Sequence, residues 1–105
     1  MEDWRPPEAR VRAALWEAEG HLERREYFAA ARALERVFDV APDETRELVR
    51  GLHHLAAAGY KAQSSEPDRA RRQLAHAERR LEAFLPEAEE IPIARLVTLV
   101  ERDVS

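Results

Sequence analysis

The stretch GLHHLAAAGYKA, Gly51 to Ala62, reads either as a histidine-based chemical centre or as a close-packed helix. On a helix, Leu48, Leu52, Leu55 and Gly59 share one edge, with Gly51 and Ala62 alongside. His53 falls off that edge near Val49 and Tyr60, and His54 falls on the opposite flank with Glu47, Arg50 and Lys61. Neighbouring residues on a helix point about 100° apart, so His53 and His54 cannot readily hold one ion. Helical ligand pairs need i,i+3 or i,i+4 spacing. At that spacing the two histidines meet only Ala56, Ala57, Ala58, Arg50, Val49 and Gly51, none of them a ligand. The stretch therefore reads as a packed helix, with His53 half-buried and His54 on the surface.

Working outward, prolines punctuate the chain at Pro6-Pro7, Pro42, Pro67, Pro86 and Pro92. The spacing predicts a helix over 7–24 with Val11, Ala14, Leu15, Ala18 and Leu22 on its apolar stripe. A second over 26–40 carries Tyr27, Ala30, Leu34, Val37 and Phe38 inward. The helix containing the quoted stretch opens at Pro42, where Asp43 and Glu44 complement its N-terminus. A fourth begins at Ser65-Glu66-Pro67-Asp68, which reads as a cap, and turns Ala70, Leu74, Ala77, Leu81, Phe84 and Leu85 inward. A short closing helix follows at 93–100. The fold class is all-α: four main antiparallel helices, as two stacked hairpins, plus a short C-terminal helix. Residues 1–105 form one domain by length.

A weak internal repeat agrees with stacked hairpins. Tyr27, Ala30, Leu34 and Val37 fall at the spacing of Pro67, Ala70, Leu74 and Ala77, one period later. The second helix and Pro42 match the second half of a tetratricopeptide hairpin. Glu17 stands where the first half wants a leucine, so the likeness is one of packing.

Composition narrows the function classes. There is no cysteine, which excludes disulfides, thiolate metal sites and thiol nucleophiles. The charged start, Glu2-Asp3-Trp4-Arg5, leads into no apolar run, so neither a signal peptide nor a membrane span is expected. The expected location is the cytoplasm, without a membrane partner. Arginine-rich, alanine-rich usage with Lys61 the sole lysine suggests a GC-rich prokaryotic genome. A net charge of −4 weighs against a nucleic-acid partner. No phosphate-binding glycine loop or nucleophile elbow is present, and no cofactor is implied.

Arg25-Glu26-Tyr27-Phe28-Ala29-Ala30-Ala31-Arg32-Ala33-Leu34-Glu35, followed by Arg50-Gly51-Leu52-His53-His54-Leu55-Ala56-Ala57-Ala58-Gly59-Tyr60, resembles a small prokaryotic all-helical family, domain of unknown function 309. The resemblance covers about residues 22–85 and implies the same helical fold. The family is sometimes labelled a predicted metal-dependent hydrolase, on the strength of a His-Glu pair, a following glutamate and a later histidine. Here Ala31 and Arg32 occupy the His-Glu positions, Glu35 remains, and Tyr60 or Lys61 stands at the later one. The hydrolase reading is left with Glu35, His53 and Tyr60 as catalytic candidates and no metal ligand set.

Two other readings come from the residues. Trp16 and Phe28 lie outside the main core stripes, and Gly51, Ala58 and Gly59 leave one side of the third helix without bulk. These features predict a non-catalytic module that binds itself, as a symmetric dimer, or another protein, with Trp16 and Phe28 at the interface. Arg69, Arg72, Arg79 and Arg80 form a stripe on the fourth helix that offers a phosphate-binding alternative.

Overall fold

The computed structural model describes residues 4–104; Met1, Glu2, Asp3 and Ser105, and so the two extremities of the expected domain, lie outside the described residues. Five α-helices follow in order: α1 (Pro7–Glu23), α2 (Tyr27–Glu35), α3 (Asp43–Gln63), α4 (Pro67–Leu81) and α5 (Ile93–Val104), with a short 3-10 turn at Glu82–Phe84. No strand forms among the described residues; Ala88 and Ile91 close an isolated bridge before α5. The all-α expectation agrees with this architecture.

Two of the expected boundaries differ. Helix α2 stops at Glu35, and residues 36–40 continue as turns whose bonds run from the Val37 and Phe38 amides to the Leu34 and Glu35 carbonyls. Val37 nevertheless stays buried, because a turn of this tightness keeps pointing it inward. Helix α5 runs on to Val104, past the expected end at Val100, and buries Ile93, Leu96, Val100 and Val104 along one stripe.

The hairpins α1–α2 and α3–α4 turn in the same way. The Glu26 amide donates to the His21 carbonyl at 2.8 Å and the Glu66 amide to the Lys61 carbonyl at 2.9 Å. One residue earlier, the Arg25 amide donates to Leu22 and the Ser65 amide to Ala62. This is the paired bonding of a Schellman ending, which needs a left-handed residue. Arg25 and Ser65 supply it, both at φ 60. The glutamate side chains reach back alike, Glu26 to His21 at 2.8 Å and Glu66 to Lys61 at 3.6 Å. The sequence repeat is thus a repeat of backbone geometry. Ser65 serves this turn and makes no side-chain cap for α4, whose preceding residue Glu66 also makes none. Ser65→Gly should stabilise the protein by up to about 1 kcal/mol, since glycine enters the left-handed region without the Cβ penalty. A measurably lower urea midpoint for the variant would refute this.

Helix α3 lies at the centre, against α2, α4 and α5. Its small residues let those neighbours in. A Cβ on Gly51 would stand 2.6 Å from Leu81 of α4, and one on Gly59 would stand 2.5 Å from the Tyr27 ring of α2. Ala58 is fully buried. The expected bare side of α3 is therefore filled within the chain, and it cannot be the approach surface for a second copy. Helix α5 closes the bundle over α1, α3 and α4. Asp103 near its end accepts the Tyr27 hydroxyl at 2.5 Å and both arms of the Arg25 guanidinium at 2.8 Å. Arg95 at its start reaches Glu23 of α1 at 2.9 Å.

Candidate functional site

Most chemistry-bearing side chains lie along the two seams flanking α3. At the α2–α3 seam, Glu35 accepts the Nε2–H of His53 at 2.9 Å, and the His53 ring meets the edge of Phe38 with centroids 5.0 Å apart. Further along, Phe28 and Tyr60 face each other at 5.7 Å. Phe28 is 58% exposed and Tyr60 41%. Ala31 and Ala57, both half-buried, occupy the same faces of the two helices between these pairs. Glu35 and His53 are thus brought together. Tyr60 stands two turns further along α3, about 10 Å by helical rise, and packs on Phe28 instead. The carboxylate–imidazole pair can hold and pass one proton. Arg32 stands beside Glu35 at 3.8 Å, and no cluster of three or more histidine, aspartate or glutamate residues among the described residues could hold a metal ion.

At the α3–α4 seam, His54 is less exposed than its helical position suggests. Its Nδ1 lies 2.7 Å from the Gln73 side-chain oxygen, which makes Nδ1 the protonated nitrogen. The His76 ring lies beside it at 5.3 Å. Burial, and the nearby charge of Arg80, hold the His54 pKa below its ordinary value, against the raising effect of the Gln73 bond. A base with a lowered folded-state pKa contributes stability above its unfolded pKa and loses it as pH falls. Wild-type stability should therefore decline below pH 6.5. In His54→Gln the decline over the same window should be shallower in denaturant titrations at successive pH values. An unchanged slope would contradict this assignment.

Glu47 holds Arg80 at 2.8 Å across the same seam. An open depression of about 470 Å³ lies there, with Asp43, Glu44 and Glu47 on one side and His76, Arg79 and Arg80 on the other. Arg69 is tied to Glu66 at 3.0 Å, whereas Arg72 has no hydrogen-bond or ion-pair partner among the described residues. Arg71 is exposed and bonded to Asp68.

Trp16 is 50% exposed. It lies on the edge of α1 that also bears Glu23, the residue bonded to Arg95 of α5. Phe28 lies at the α2–α3 seam, so the two aromatics belong to separate faces. Trp4 and Leu85 are also exposed, the latter in contrast to its expected place in the core. No helix among the described residues is long and apolar enough to cross a membrane.

The cross-seam bonds Glu35–His53 and His54–Gln73 are invisible to a search for partners within one helix. Their only sequence signal is that the residues sit on the flanks of their helices' apolar stripes. No family model, no curated protein and no solved structure matches this chain.

Proposed function

We propose that the protein is a non-catalytic helical interaction module that pairs with a second copy of itself through the α2–α3 face around Phe28 and Tyr60. The observation that carries this reading is the Phe28–Tyr60 ring pair. It stands in solvent on a face whose neighbouring positions are the small residues Ala31 and Ala57. Two aromatic rings kept in contact at the surface present apolar area without having to be ordered on binding, and aromatic anchors of this kind dominate binding energies. Glu35 and His53 supply a polar rim at one end. The hydrolase reading has less support, because Tyr60 is committed to Phe28 and Ala31 and Arg32 stand at the positions where the resembled family has its His-Glu pair. Trp16 lies on another edge and is not needed for this contact.

Phe28→Glu places a carboxylate against its own copy across a two-fold interface. It should weaken self-association about tenfold or more, as expected for loss of a central aromatic anchor, while circular dichroism stays unchanged. Sedimentation equilibrium measures this. An unmutated chain that stays monomeric at high micromolar concentration would remove the support for self-pairing.

A further inference from the structure

We infer that the outward face of α4, extended by Arg50 of α3, binds the phosphodiester backbone of a nucleic-acid strand. Arg69, Arg72, His76 and Arg79 are all exposed, and on a regular helix they fall within an arc of about 80°. No carboxylate from α4 lies inside that arc. Asp68 borders it and is bonded to Arg71. Glu78 turns to the other side, toward Glu101 of α5. Within the arc Arg69 is tied to Glu66 at 3.0 Å and Arg79 hydrogen-bonds His76 at 2.7 Å, while Arg72 has no ion-pair partner among the described residues. On the α3 side, Arg80 is neutralised by Glu47 and bounds the stripe. Asp43 and Glu44 face only the end of the stripe at His76 and Arg79. Arg50, exposed on α3, has no ion-pair partner among the described residues. The chain's net charge of −4 therefore does not describe the arc itself, whose neighbouring acids Glu47, Glu66 and Asp68 stand at its borders.

The stripe fits phosphates better than an acidic protein segment. Its apolar members are Ala75 and Ala83, and the depression at its end is lined mainly by charged side chains, so a protein partner would find little apolar surface to anchor on. A polyanion needs none, since counterion release drives its binding. Arg69 and Arg72, three residues apart, are neighbours about 5–6 Å apart on the helix surface, Arg79 follows two turns beyond Arg72 on the same line, and guanidinium groups bond phosphate oxygens in a fork.

The test uses the full chain and a labelled oligonucleotide of about 16 nucleotides, long enough to cover one such site, read by fluorescence anisotropy. Binding should weaken steeply between about 50 mM and 200 mM salt. Arg72→Glu with Arg79→Glu should reduce affinity about tenfold or more at low salt, because each lost phosphate contact removes a released counterion. Arg12→Glu, which alters an exposed arginine on α1, should leave binding close to that of the unmutated chain. Circular dichroism must show each variant folded; should the double variant fail, Arg72→Gln replaces it. Three results would overturn the proposal: no binding at low salt, equal loss in the Arg12 variant, or equally tight binding of polyglutamate of matched charge.

Discussion

Tyr27→Ala should cost about 3–5 kcal/mol of stability, the range for removing a large buried ring. Tyr27 is the largest fully buried side chain, and its ring lies flat over Gly59 at the α2–α3 crossing. Its hydroxyl also fixes α5 through Asp103. Tyr27→Phe separates the two roles. It keeps the packing and loses one hydrogen bond to a charged group, so its cost should be about 1.5–3 kcal/mol. Burial, and then the Asp103 carboxylate, push the Tyr27 pKa above its ordinary value of 10.0. A group with a raised folded-state pKa contributes stability below its unfolded pKa and loses it as pH rises. The unmutated chain should thus lose stability from pH 10.0 upward, and the phenylalanine variant should lose less over that window. Urea titrations at neutral and alkaline pH measure both effects. An alanine variant as stable as the phenylalanine one would mean that the ring packs nothing.

Gly59→Ala is the second large effect, and it probes the same contact from the other side. Alanine normally gains about 1 kcal/mol over glycine inside a helix. Here the new Cβ would meet three ring carbons of Tyr27 at 2.5–2.6 Å. Those atoms are the base of a rigid ring, so α2 must move away from α3. Overpacking of this kind costs about 1–3 kcal/mol, and the variant should be less stable despite its better helix propensity. Combined with Tyr27→Ala, it should cost less than the sum, since the small residue partly fills the vacated space. A stabilised Gly59→Ala protein would show that the two helices do not meet here.

That crossing also marks how far the sequence could be read. The apolar stripes of α1, α3 and α4 follow helical spacing closely enough that core positions such as Leu15, Leu52 and Ala77 were legible. So were the proline boundaries before α1 and α4. The ending of α2 was not, because Val37 and Phe38 keep an apolar pattern through the turn that follows it. The left-handed residues Arg25 and Ser65 carry no glycine or asparagine signal, although the glutamate after each is a shared mark. The small residues of α3 were recognised as a close-approach surface, but spacing along one helix cannot say which neighbour fills it. Leu81 and Tyr27 come from two other helices. The same limit hid the pairing of Glu35 with His53 and of His54 with Gln73 and His76.

Hydroxyl-radical footprinting across a dilution series, resolved at single aromatic residues, tests the proposed contact face most directly. If two copies pair through α2 and α3, Phe28 and Tyr60 should become protected together as concentration rises, while Trp16 keeps its reactivity. Protection at Trp16 with Phe28 and Tyr60 still reactive, or reactivity independent of concentration at all three, would contradict the account.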